Sequence, residues 1–435
     1  MSESTGTAEA QAQVPGGRIV GLDMLRGLAI LWVVVFHLWI DIKLVALPPA
    51  DYYHTAFHRV SSGDWGRVGT SIIDAVSRIG FQGVPVFMML SGLSLYLSAS
   101  RRGSVAPLLP WYYARLRRLL VPYWAGFFIL LLGACVVAAL QVWLDGHSFA
   151  YQYHHGVTAA AWNVIDISWD DALVSLALVP RVLRDRWFGV YPNALWFVVV
   201  LVQYYLLFPF LRVLLDRIGP AWFAGGALIF TIAAKALLIW WFGALLLGSA
   251  PRYDGGVAFF RIDDFAIGMA IGYMLVHRRH VLAEYTTTAF DIACLAFLGL
   301  LLQAGGTLID DRQGYVNALA APMVVSGLTL LVLPLIVKAP GRIEANAAAR
   351  VLAWTGTISY AVLIVNEPMR LFASLLRVHH LPDPAWWVFL VAIYVPATVL
   401  AAWPFAIVTG LIPAPRRGWP RRRRAPEPAV SAGIA

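Results

Sequence analysis

Charge is scarce in this chain: Asp, Glu, Lys and Arg supply 13% of its 435 residues, about half the ~25% of an ordinary soluble domain. That leaves too little polar surface to clothe a fold of this length in water, which excludes an ordinary cytosolic enzyme. Cysteine is nearly absent. Cys135 and Cys294 stand apart inside apolar stretches with no C-x-x-C spacing, so neither a disulfide framework nor a zinc site is indicated. A signal-peptide pattern is missing as well. The first 17 residues are polar and rich in Ala, Gln and Gly, without an apolar core, so no cleavable leader is expected and the first apolar run is expected to stay as an anchor. No internal repeat of the transporter type is visible.

What the chain does have is apolar bulk. Hydrophobic residues make up 60%, with 18 Trp, 17 Tyr and 22 Phe, and the mean hydropathy is +0.70. This excludes disorder, a coiled coil and a disulfide-stapled secreted domain, and leaves an all-α polytopic membrane protein. The net charge of +9 does not indicate nucleic acid, because the basic residues sit in short clusters between apolar runs.

A span needs about 20 apolar residues to cross ~30 Å of hydrocarbon. Ten runs meet the requirement: 22–40, 80–99, 119–143, 193–215, 221–247, 259–276, 287–303, 317–337, 351–372 and 386–410. The domain is therefore expected over 18–412, between a disordered tail at 1–17 and a basic, Pro/Arg-rich tail at 413–435. With the N-terminus inside, 19 Lys and Arg fall on the inner side and 10 on the outer side, in far longer loops. The positive-inside rule then puts both termini in the cytoplasm, and the polar segments 41–79 and 144–192 outside. The expected location is the cell membrane, with lipid as a partner.

Ionisable groups inside spans each cost ~2.5–3.5 kcal/mol on insertion scales, so they are functional candidates. The first span carries Asp23, Arg26 and His37. Eleven residues separate Arg26 from His37, which is three turns plus about 20°, so both project from one face. They lie about 16 Å apart along the axis. Asp23, three residues before Arg26, is placed to pair with it. A snorkelling arginine and a packing histidine are the plain alternative, but His37 is the one histidine of ten that falls inside a span.

Other candidates follow. Arg115, Arg117 and Arg118 crowd the loop before the third span; they are either a positive-inside anchor or an anion cradle, since guanidinium forks match phosphate oxygens. Arg261, Asp263 and Asp264 sit together near the outer end of the sixth span, as mutual charge compensation or as a cavity lining. Glu367 and Arg370 form an expected i,i+3 ion pair beside Asn366. Lys235 has no partner in the sequence. Small residues Gly83, Ser91, Gly92 and Ser94 on the second span read as close helix packing. External aromatics (Trp65, Tyr151, Tyr153, Trp162, Trp169) are interfacial anchors or sugar-stacking surfaces.

Five strings, in order, resemble the acyltransferase family 3 membrane proteins, which include bacterial O-acetylases of surface glycans. They are Asp23 with Arg26-Gly27-Leu28 and His37; GVPVFMMLSG at Gly83–Gly92; YYARLRRLLVPYW at Tyr112–Trp124; LWFVVVLVQYYLLFP at Leu195–Pro209; and ISYAVLIVNEP at Ile358–Pro368. The likeness runs over roughly 20–410. Pro85 stands where the family usually has Asp, Leu201 where many members have Glu, and Asn366 where many have His.

The resemblance implies transfer of an acyl group, often acetyl, from cytoplasmic acyl-CoA to a hydroxyl of an extracytoplasmic carbohydrate or related acceptor. No bound cofactor or metal is implied; acyl-CoA is a substrate. It implies His37 as general base or transient acyl carrier, and Arg26, held by Asp23, as ligand of the donor phosphates, with Arg115, Arg117 and Arg118 at the entrance. Asp263, Asp264 and Glu367, with Arg261, would orient the histidine or bind the acceptor. The rival readings are a transporter or flippase for a lipid-linked sugar, and a non-catalytic member of the family.

Overall fold

The structure is a computed structural model that describes residues 20–43, 61–63, 65–100, 108–146, 148, 176–178, 195–242, 257–310, 315–338, 346–375 and 383–412. The two tails, nearly all of segment 144–192 and the aromatics at 151, 153, 162 and 169 lie outside these residues. Trp65 falls in a helix, but its side chain is outside the description.

Each expected span corresponds to helix. In chain order these are α1 (Val20–Lys43), α2 (Trp65–Arg78), α3 (Gly83–Ser100), α4 (Leu108–Asp145), α5 (Trp196–Ile218), α6 (Pro220–Phe242), α7 (Ile262–His277) and the short α8 (Arg279–Glu284). There follow α9 (Ala289–Asp310), α10 (Ala320–Lys338), α11 (Ala347–Thr357), α12 (Ser359–Leu375), α13 (Asp383–Val388) and α14 (Val395–Val408), the last two joined by a π-helical turn at Phe389–Tyr394. Among the described residues no strand occurs.

Eight of these segments are long and apolar enough to cross a membrane, and a ninth is formed if α11 and α12, bent by 77° at their junction, count as one broken span. The sixth expected span corresponds to α7, whose 16 residues follow directly on the 3-10 turn Ala258–Arg261. Its first eleven residues are all buried, so α7 is a helix enclosed by protein. A charged start (Arg261, Asp263, Asp264) is tolerable there because the neighbours of α7 are helices rather than lipid.

Segment 41–79 departs from expectation. Its polarity predicts an outer loop, but residues 65–78 form α2, which runs through a 3-10 turn into α3, so that the apolar span begins at Ile72. α2 is amphipathic: Val68, Ala75, Ser77 and Arg78 are buried while Ile72, Ile73 and Val76 are exposed. It is fastened to α1 by indole donors, Trp32 Nε1 to the Val76 carbonyl at 2.8 Å and Trp39 Nε1 to Asp74 Oδ1 at 2.9 Å. In sequence, the polar residues of one helix face read as loop.

Local chemistry sets several boundaries. Thr288 and Asp291 form a capping box ahead of α9, with Thr288 N donating to Asp291 Oδ2 at 2.8 Å and Asp291 N to Thr288 Oγ1 at 3.0 Å. Asn346 caps α11 by accepting from Ala348 N at 2.9 Å. Pro85 occupies the first turn of α3, where its missing N–H leaves no helical bond unmade. Cys135 and Cys294 are free thiols on exposed helix faces.

Two glycine crossings draw the helices together. On α3 and α7, a Cβ at Gly92 would strike the Phe265 carbonyl and one at Gly268 the Met89 carbonyl, so backbone meets backbone. On α1 and α11, Gly27 faces the Leu352 carbonyl and Gly356 faces the Asp23 carbonyl. Small residues at helix contacts are the membrane solution to packing without a hydrophobic drive between helices.

Gly268→Val should therefore force α3 and α7 apart, costing about 1–3 kcal/mol as overpacking does and lowering the Tm of the detergent-solubilised protein by roughly 5 °C. Gly226, which has no atom within 4 Å of a built Cβ, should accept Ala with no loss of Tm. Equal Tm for Gly268→Val and the parent would contradict the tight crossing.

Candidate active site

The α1–α11 crossing places the start of α1 beside the α11/α12 bend, and a cavity of about 530 Å³ opens there. Its walls come from six parts of the chain: Asp23 and Arg26 of α1, Phe87, Ser91, Ser94 and Leu95 of α3, Arg115, Arg118 and Leu119 of α4, Phe197, Leu201 and Tyr205 of α5, Gly356, Thr357, Ser359, Tyr360 and Leu363 around the bend, and Leu411 with Ile412.

Arg26 is fixed from two sides. It donates to Asp23 Oδ1 at 3.0 Å and to the Ser94 hydroxyl, and Ser94 Oγ itself donates to the Leu90 carbonyl at 2.6 Å. Arg115 donates to Ser98 Oγ at 2.7 Å. Ser94 and Ser98 are four residues apart, on one face of α3, so this helix presents hydroxyls to the arginines of its neighbours. Arg117 and Arg118 are both exposed, and of the two only Arg118 lines the cavity. The charged residues of the lining are three arginines and one carboxylate, so the wall carries an excess of positive charge.

His37 lies further along α1. It is 8% exposed, and its Nδ1 receives Asn366 Nδ2 of α12 at 3.3 Å. Asn366 Oδ1 accepts from the Tyr394 hydroxyl at 2.9 Å. Tyr394 ends the π-helical turn before α14, and such turns re-aim side chains inside helices. Asn366 is fully buried and Tyr394 is 2% exposed, so imidazole, amide and phenol form a dry chain across three helices. Beside it, Arg370 Nη1 donates to both Glu367 oxygens at 3.1 Å, and the Arg370 charge acts on the imidazole.

His37 is not part of the cavity wall. Leu363 lines the cavity and Asn366, three residues on, holds His37, a step of about one helical turn or ~5 Å. Phe87 and Phe197 of the same wall pack edge to face with centroids 6.1 Å apart.

Arg261, Asp263 and Asp264 are brought together elsewhere, at the α5–α6–α7 seam. Asp263 Oδ1 accepts from Thr231 Oγ1 of α6 at 2.9 Å, and Lys235, one turn on, acts on the same carboxylate together with Arg261. Lys235 therefore has the partner that its sequence did not reveal. Arg261 Nη1 lies 3.8 Å from Asp264 Oδ2 and 5.2 Å over the Trp196 ring, a cation–π arrangement. The Tyr204 hydroxyl donates to the Arg261 carbonyl, and Gln203 Oε1 accepts from Ala258 N at 3.0 Å. The contacts described for this cluster are among its own helices, and those described for Glu367 are with Arg370 beside His37.

Sequence reasoning missed Tyr394, Ser98 and the Phe87–Phe197 pair. Each sits in an apolar or small-residue run at ordinary helical spacing, so nothing local distinguishes it from packing. Of the three family departures, Leu201 is a buried cavity wall and Asn366 is the imidazole's partner.

No match was found among curated proteins or among solved structures. The family model described as an acyltransferase domain matches residues 19–406, nearly the whole chain. With its spanning helices, buried imidazole and arginine-lined cavity, the chain belongs to acyltransferase family 3, and it is a multi-pass membrane acyltransferase.

Proposed function

We propose that the protein moves an acyl group, acetyl being the expected one, from acyl-CoA to a hydroxyl of an extracytoplasmic carbohydrate or related acceptor, at the cell membrane with the Arg26 end in the cytoplasm. One observation carries the reading: an arginine-lined cavity and a buried imidazole share helices α1 and α12 and are separated by about one turn. The first suits the phosphates of a nucleotide thioester, and the second suits proton transfer near neutral pH.

Arg26, Arg115 and Arg118 hold the donor's phosphates. The apolar part of the wall, with Phe87, Phe197 and Leu363, takes the acyl-bearing arm, and Leu363 lies one turn of α12 from Asn366, which holds His37. The acceptor hydroxyl arrives from the opposite side. Its oxygen bonds to the thioester carbonyl carbon as its proton passes to the imidazole; the C–S bond then breaks, and the thiolate takes that proton to leave as free CoA.

Asn366 decides which ring nitrogen is the base. With its amide donating to Nδ1, the neutral ring carries its proton on Nε2. A half-turn of the amide makes Oδ1 accept from Nδ1–H and leaves the lone pair on Nε2. Tyr394 supports both settings, because a phenol both donates and accepts. The Asp263–Lys235 and Asp264–Arg261 cluster, with Trp196, is assigned to the acceptor side, where a charged and aromatic wall suits a polyhydroxylated ligand.

His37→Ala should lower transfer of label from radiolabelled acetyl-CoA to endogenous acceptor in membranes by ~10²–10⁴-fold, with membrane insertion intact. Undiminished labelling would remove the base from the scheme, and no labelling by the parent chain would favour a carrier.

Arg26→Ala should raise the apparent KM for the donor by at least about tenfold, the worth of a charge-assisted bond, with a smaller effect on kcat. An unchanged donor dependence would argue against the phosphate contact.

Asn366→Asp places a carboxylate against Nδ1 and favours the imidazolium. The acidic limb of the pH–rate profile should therefore move to higher pH, and Tyr394→Phe should lower the rate without that shift. Identical profiles for parent and Asn366→Asp would show that the amide does not govern the imidazole.

A further inference from the structure

The α11/α12 junction is a break in a span, and the break faces the cavity. α12 begins at Ser359 after a 77° bend, and its first intrahelical bond runs from Val362 N to the Ile358 carbonyl at 3.0 Å. The N–H groups of its first turn precede that bond, as in any helix, and carry the positive end of the dipole. The end of α11 at the same bend is already occupied: Ile358 N donates to the Thr355 carbonyl at 3.1 Å and Thr357 Oγ1 to the Trp354 carbonyl at 2.7 Å.

The second observation is Ser359 itself. Its side chain lines the cavity and is 6% exposed, yet among the described residues its hydroxyl makes no hydrogen bond. Ser91, half-buried in the same lining, also makes no hydrogen bond among the described residues. The Ser359 hydroxyl opens onto the cavity with its hydrogen-bonding capacity unspent, at a helix start and in a space with three guanidinium groups and one neutralised carboxylate, a setting that suits an acceptor ligand.

The geometry points to a phosphoryl subsite formed by the Ser359 hydroxyl and the first-turn amides of α12, facing Arg26 and Arg118 across the cavity. It takes one phosphate of the donor's nucleotide and so deepens the donor reading, on which its choice of occupant rests. Ser359 supplies hydrogen bonds where the arginines supply charge, and this fixes the orientation of the phosphate as well as its presence. The α1–α11 crossing holds the subsite in place, because Gly356 and Gly27 keep the bend against Asp23 and hence beside Arg26.

The test uses the full chain in phosphatidylcholine nanodiscs and measures binding of CoA, pantetheine and inorganic pyrophosphate. Ser359→Ala should weaken CoA and pyrophosphate by about 3–10-fold, the range of one neutral hydrogen bond, and Ser359→Thr should restore both. Ser359→Asp should abolish them, with pantetheine unaffected throughout. Parent-like CoA and pyrophosphate affinity in Ser359→Ala, with affinity lost in Arg26→Ala, overturns the subsite and leaves the donor reading standing. Pyrophosphate binding that depends on Ser359 in a chain that ignores CoA supports the phosphoryl subsite and ends the donor reading instead. Displacement of pyrophosphate from the parent by phosphatidylglycerol, absent from Ser359→Ala, overturns the nucleotide as occupant in favour of a lipid headgroup.

Discussion

The contact between α1 and α11 governs this molecule. Two glycines, Gly27 and Gly356, allow the backbones to touch at Asp23 and Leu352, and no larger residue fits either place without moving a helix. From that contact follow the depth at which Arg26 lies, the position of the 77° bend and the meeting of α1 with α12, which puts Asn366 against His37. A wider crossing would separate the arginine, the bend and the imidazole, although every residue would remain on its own helix.

Charge inside the bilayer is handled throughout by short-range pairing. An ionisable group in hydrocarbon would cost ~2.5–3.5 kcal/mol alone, and four pairs offset that cost: Arg26 with Asp23, Arg370 with Glu367, Arg261 with Asp264, and Lys235 acting on Asp263. Three of these pairs are i,i+3 neighbours on one helix and form as soon as the helix does. The fourth joins α6 to α7. The proposed chemistry draws on the arginines of the cavity wall and on the chain of His37, Asn366 and Tyr394.

The sequence made much of the site legible because the functional residues occupy helices of simple periodicity. Eleven residues at 100° each put Arg26 and His37 on one face of α1, and three residues put Asp23 against Arg26. The same arithmetic failed at α2, where the polar face of a helix packed on α1 reads as a loop. Hydropathy registers how apolar a stretch is, but it does not distinguish lipid from protein as the surroundings.

Composition by itself determined that the chain is helical and membrane-embedded, since a backbone in hydrocarbon must satisfy its own hydrogen bonds. It also determined which charges pair along a helix, because that spacing is local. Tertiary structure alone decided that Tyr394 reaches Asn366 across 28 positions and Asn366 reaches His37 across 329, that Lys235 answers Asp263, and that Ser359 opens onto the arginines. Such contacts depend on how closely helices cross and where one breaks, and those are set by backbone contact between segments far apart in the chain.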